Sequence, residues 1–186
     1  MFPILVEGPA VEPVSLAEMK AYLRVTDDAE DDLVAGLVKA ARMMVEAASR
    51  RLVISQEWKL MLPAWPHSQR LPLPLSPLIA IEAVEMVDAF GTARPVDSGA
   101  IAADLQCDPP ALRFLAPPPP DLCAHELAIT VRAGFGAAPA DVPAPLCLAV
   151  KIIVARWFEN RGDIAGDQTL PPEALALIGP FQRPRL

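Results

Sequence analysis

The chain has 186 residues, 53% of them hydrophobic and 21% charged, and a formal net charge of −7. That mix specifies a globular chain with a sizeable core and excludes a disordered one. The 16 basic residues lie scattered among 23 acids, which counts against a surface built to grip nucleic-acid phosphates.

The opening residues, Met1 to Gly8, lack the basic flank and long apolar core of a secretory signal, so synthesis in the cytoplasm is expected. The first helix is expected from Ser15 to about Arg24. Ser15-Leu-Ala-Glu18 has capping-box spacing: the Ser15 hydroxyl accepts the third amide, and Glu18 reaches back to the Ser15 amide. A longer helix is expected from Asp27 or Asp28 to about Arg50. Leu33, Leu37, Ala40, Met44 and Ala47 form one row on it, and Val34, Val38, Ala41, Val45 and Ala48 repeat the row one residue on. The two rows make an apolar face broad enough to meet more than one neighbour. Asp28, Glu30, Asp31 and Asp32 at the start, with Arg50 and Arg51 at the end, suit the helix dipole.

Past Leu52 the period falls to two. Trp58, Leu60 and Leu62 alternate with Glu57, Lys59 and Met61, the pattern of a half-buried strand. Prolines at 63, 66, 72, 74 and 77 impose an extended, irregular run. The uncharged stretch Leu71 to Ile81 within this region is too short to span a bilayer. Leu78 to Val87 reads as a strand that turns through Asp88 to Thr92 into another near Ala93 to Val96. Ala111 to Leu115 is a short strand, Pro117 to Pro120 a stiff loop, and Leu127, Ile129 and Val131 mark a further strand.

Gly134 and Gly136 end that strand, and Asp141, Pro143 and Pro145 open the third main helix. Leu146, Val150, Ile153 and Trp157 form its stripe, and Asn160-Arg161-Gly162 its stop. A last helix, about Pro172 to Ile178, precedes a tail from Gly179 to Leu186 with two arginines and no acid.

Little here has the spacing of catalytic chemistry. Cys107, Cys123 and Cys147 lack any C-x-x-C pattern and read as reduced thiols. His67 and His125 are isolated, and no phosphate-binding, nucleophile-elbow or zinc motif occurs. The acidic run from Asp27 to Asp32 lacks the spacing and the central glycine of a calcium loop. Neither cofactor nor metal is expected.

Three segments, in order, resemble the head–tail connector (adaptor) proteins of tailed phages and gene transfer agents. The first is Pro13-Val-Ser-Leu-Ala-Glu-Met-Lys-Ala-Tyr-Leu-Arg-Val25 with the acidic cap Thr26-Asp-Asp28, continuing to Ala47-Ala-Ser-Arg-Arg-Leu52 and Ile54-Ser-Gln-Glu-Trp58. The second comprises Gly134-Phe-Gly136, Asp141-Val-Pro143 and Ala155-Arg-Trp-Phe-Glu-Asn-Arg161. The third runs from Leu170-Pro-Pro-Glu-Ala-Leu175 through Gly179-Pro-Phe181 to Arg185-Leu186. The resemblance covers essentially the whole chain and is thinnest from Pro63 to Pro120.

The resemblance implies an α+β fold: a helical connector core of two N-terminal helices and a long C-terminal helix, with an inserted β-rich segment of short antiparallel strands. Residues 1–54 and 134–178 would be the ring-forming core, 55–133 the insertion and 179–186 a docking tail. It implies a virion structural protein of the neck, forming a homo-oligomeric ring of twelve copies under the portal. The ring would extend a channel through which DNA passes without specific binding, and would join the head to stopper or tail-terminator proteins, with no membrane involved. Phe181, Arg183, Arg185 and Leu186 would dock on the portal. Leu33, Leu37, Met44, Leu146, Val150, Ile153 and Trp157 would pack the subunit helices. The alternatives are a DNA-packaging accessory factor, which needs a basic helical face, and a head-completion enzyme, for which only Glu57, His67, Asp104 and His125 are candidates.

Overall fold

The computed structural model of the chain describes residues 1–88, 90–105, 107–117, 126–160 and 170–182. Among them, four helices and eight strands, all paired antiparallel, give a mixed α+β fold. The chain divides into two compact units: Met1–Pro9 with Ser55–Phe135, and Ala10–Ile54 with Gly136–Leu186. Each is described in turn.

The second of these units is helical, with α1 (Leu16–Leu23), α2 (Asp31–Ser49), α3 (Ala144–Glu159) and α4 (Pro172–Ile178). Ser15 Oγ caps α1 by accepting from the Glu18 amide at 3.2 Å. The reciprocal half of the expected box is replaced by a longer reach, because the Glu18 carboxylate accepts from Lys151 Nζ of α3 at 2.5 Å. The start of α2 also differs from expectation. Asp27 Oδ1 instead accepts from the Ala29 amide at 3.0 Å, a local turn. Asp28 and Asp31 both hold Lys20 Nζ at 2.6 Å. Only Asp31 and Asp32 fall in the first helical turn, where the dipole favours them. Both α1 and α2 end on an arginine in the left-handed region, Arg24 at φ 58° and Arg50 at φ 57°, where glycine is the usual choice.

The apolar rows assemble the core of this unit. α2 packs against α3, and Val34, Val38, Ala41 and Val45 of the one and Leu146, Val150 and Ile153 of the other are all buried, none beyond 2% exposure. One charge is buried among them. Arg42 donates to Glu12 at 2.7 Å and to Glu46 at 2.8 Å, and the other Glu46 oxygen accepts from the Val53 amide at 3.0 Å. Both carboxylates are therefore needed to keep that guanidinium compensated. Gly136 is fixed by a close approach: a Cβ there would overlap the Asp141 side chain, whose carboxylate accepts from the Ala138 amide at 2.9 Å and closes the turn before α3.

The other unit is built on strands: β1 (Phe2–Glu7), β2 (Gln56–Leu62), β3 (Arg70–Pro72), β4 (Leu78–Val87), β5 (Ala93–Pro95), β6 (Ile101–Asp104), β7 (Ala111–Phe114) and β8 (Glu126–Ala133). Five form a sheet in the order β1-β2-β8-β4-β5, and three form a second in the order β3-β7-β6. β8 is central: Leu127, Ile129, Val131 and Ala133 bury one of its faces completely, while on the other Ala128 is buried and Glu126 and Arg132 are exposed. The β4–β5 turn is closed by Asp88 Oδ1, which accepts from the Phe90 amide at 2.9 Å and the Thr92 amide at 2.8 Å. In the small sheet Leu112 is buried, and Trp65 packs edge-on against Phe114 with centroids 4.6 Å apart.

The expected boundaries assigned residues 1–54 to the helices. Residues 2–7 pair instead with β2, with Leu5 opposite Trp58. Cys123, His125 and the Arg161-Gly162 end of the expected helix stop lie outside the described residues, as does most of the Pro117 to Pro120 loop.

Candidate assembly surfaces

A helix that buries one face against its own core has the opposite face left for solvent or for another chain. On α2 the buried face is Val34, Val38, Ala41 and Val45. Opposite it, Leu33, Gly36, Ala40, Met43 and Ala47 are all exposed, at spacings of three, four, three and four. Leu33 is 40% and Met43 55% exposed, and a Cβ at Gly36 would meet nothing. Leu37 and Met44 flank the row, half-buried. Small residues between larger apolar ones on one face permit the close approach of a second helix.

Ion pairs connect the helix to the segments around it. Arg42 is held between Glu12 and Glu46, Lys20 ties α1 to the start of α2, and Lys151 ties α3 to α1. Hydrogen bonds from Lys20 and its charge lower the Asp28 carboxyl below its ordinary range, and the Lys20 ammonium is raised, first by Asp28 and then by Asp31. The Cys147 thiol on α3 is pushed up, chiefly by burial and then by the nearby Glu18 charge.

The expected packing residues therefore fall into two groups. Leu33, Leu37 and Met44 lie on or beside the outer face of α2, and Trp157 is half-buried near the end of α3. Leu146, Val150 and Ile153 are fully buried within the chain, so they make its interior and are not a surface for another copy. Gly36 and Met43 were not anticipated as surface residues, although their spacing in phase with Leu33, Ala40 and Ala47 carried the signal.

The tail has a defined root. α4 passes into a tight turn, Gly179–Phe181, and the Phe181 carbonyl accepts from Arg51 Nε at 2.8 Å. Phe181 is half-buried and anchored to its own helical unit. Arg183, Arg185 and Leu186 lie outside the described residues.

The residues considered for catalysis do not converge. Glu57 lies on β2 and Asp104 on β6, in different sheets. His67 lines a groove of about 500 Å³ with Trp65, Gln69, Phe114 and Leu115 and is its only titratable lining residue among those described. No group of three metal-ligating side chains and no helix long and apolar enough to cross a membrane occurs among the described residues.

No family model matches the chain, and no curated protein matches it. Solved structures do. A chain from the virion of a native gene transfer agent particle shares 26% identity at a TM-score of 0.85, covering 100% of this chain and 97% of its own length. A chain from the neck of an empty particle, computed with C6 symmetry, shares 27% identity at a TM-score of 0.83 with the same coverage. A third, from the neck of the native particle computed with C12 symmetry, shares 28% identity at a TM-score of 0.77, covering 98% of this chain and 97% of its own. The likeness is to structural components of a particle. It supports a place in the neck. Its coverage extends through both units, so the β-rich unit and the helices find their counterparts together.

Proposed function

We propose that the chain is an adaptor subunit of a gene transfer agent neck. Copies form a ring, twelve in number, under the portal, extend the DNA channel, and join the head to stopper or tail-terminator proteins without catalysing any reaction. The observation that carries this reading is the outer face of α2: a long helix exposes an apolar seam that its own fold leaves uncovered. Necks computed with six- and twelve-fold symmetry contain chains of this shape, which supports placing that seam between neighbouring copies. Such ring contacts are heterologous, one face meeting a different one on the next copy. The tail beyond Gln182, with Arg183, Arg185 and Leu186, is assigned to the portal, and Phe181 serves as its root.

Met43→Glu and Ala40→Glu test the seam. Both positions are exposed, so the isolated variant should melt within a few degrees of the parent chain. Particles carrying either variant should accumulate DNA-filled heads without tails in electron micrographs. Normally tailed, transfer-competent particles with both variants would remove the seam from the ring.

A further inference from the structure

A ring generated by rotation about one axis needs two different faces on each copy, one meeting the other on the next. The outer row of α2 supplies the first. The same helical unit carries a second row of matching period on α3: Pro145, Leu148, Ile152 and Ala155, at spacings of three, four and three. None of the four is buried, and Leu148 is 40% exposed. Beside this row Tyr22 of α1 is 45% exposed, with the Lys151 ammonium of α3 at 6.0 Å from its ring centre. A helix face turned only to solvent is polar, and this one is not. Both rows lie opposite the faces that α2 and α3 bury in the core, so they look outward in different directions.

The two rows are complementary in size. Gly36 and Ala40 leave a groove at the middle of the α2 row, where a Cβ on Gly36 would meet nothing. Leu148 and Ile152 stand at the middle of the α3 row, and ridges of one helix seat in the grooves of another. Charge sets the direction. With the helices antiparallel, Gly36 falls opposite Ile152 and Ala40 opposite Leu148, and the exposed Asp32 falls opposite the exposed Arg156. With the helices parallel and the rows in register, Lys39 would fall against Lys151. Opposite charges across a contact fix its register, and like charges exclude the alternative. We propose, resting on the ring reading above, that α3 of one copy receives the α2 seam of the next. The helices run antiparallel, with Asp32 of one copy paired to Arg156 of its neighbour.

Charge exchange in the full chain, scored in assembled particles, tests the pairing. Asp32→Arg and Arg156→Asp should each lower the yield of tailed particles at least tenfold, because the repulsion repeats at every contact of the ring. The double variant should return the yield to within twofold of the parent. The photocrosslinker p-benzoylphenylalanine at Lys39, exposed beside the seam, should link copies of this chain to one another through residues 144–159. Single variants with normal tails, a double variant no better than the singles, or links between copies at another segment would overturn the α3 assignment and leave the ring standing. Links from Lys39 to a different protein alone, or no link in particles that contain the chain, would overturn the ring contact at α2 itself.

Discussion

Lys20 shows how single residues set the frame that presents α2. Its ammonium reaches Asp28 and Asp31 at 2.6 Å each, and the hydrogen bond to Asp28 is the largest cause both of the lowered carboxyl and of the raised ammonium. A depressed carboxylate contributes stability above its unfolded value, near 3.8, and loses it as pH falls through the lower folded value. A raised ammonium contributes fully below 10.5 and loses that contribution as pH rises through the higher folded value. Lys20→Met should therefore melt slightly below the parent chain from roughly pH 5 to 9. The gap should narrow toward both extremes, and it should stay small because Asp28 is largely solvent-exposed. A gap that widens in acid would show that the carboxylates do not act through Lys20. The sequence reading explained these acids by the helix dipole because Lys20 lies in a different helix, and local spacing says nothing about a partner eleven residues away. The Ser15 half of the capping box was legible for the opposite reason: Ser15 and Glu18 lie within one turn.

At the scale of elements, periodicity was a reliable guide wherever one face of an element is buried. α3 and α4, the strands β2, β4 and β8 and the β4–β5 turn lie close to where the apolar pattern and the prolines put them. β3 and β6 escaped notice because they are short and lie in the proline-laden region, where β3 pairs through Leu71 opposite Leu112. β1 escaped because it exposes both faces, so its apolar residues run on without alternation. The tail was legible as a separate element, but its root was not, since the Arg51 bond to the Phe181 carbonyl spans most of the chain. That bond sharpens the docking prediction. A chain ending at Gln182 keeps α4, the turn and the Arg51 contact, and should melt like the full-length protein. If Arg183, Arg185 and Leu186 include a hot spot worth about 2 kcal/mol or more, binding to the portal should weaken at least about thirtyfold, and tails should no longer join heads. A pull-down of portal by the two lengths, with melting curves alongside, separates docking from folding. Equal capture by both would place the portal contact elsewhere on the chain.

For the whole molecule, charge decides how the proposed ring would treat DNA passing through it. Sixteen basic residues against 23 acidic ones leave a net charge of −7, and several bases are already engaged internally: Lys20, Arg42, Lys151 and Arg132 each sit within 3.1 Å of a carboxylate. Phosphate binding depends on releasing counterions at free, clustered cations, so a protein that binds duplex DNA by this route does so most strongly at low salt. A channel subunit that retained DNA would slow its exit. This chain should therefore fail to shift duplex DNA in a gel even at about 10 mM salt, where the screening length reaches about 30 Å and any attraction between exposed charges is at its strongest. Retention that weakens steeply with added salt would expose a basic surface hidden by the net charge. It would favour the packaging-factor alternative over a passive conduit.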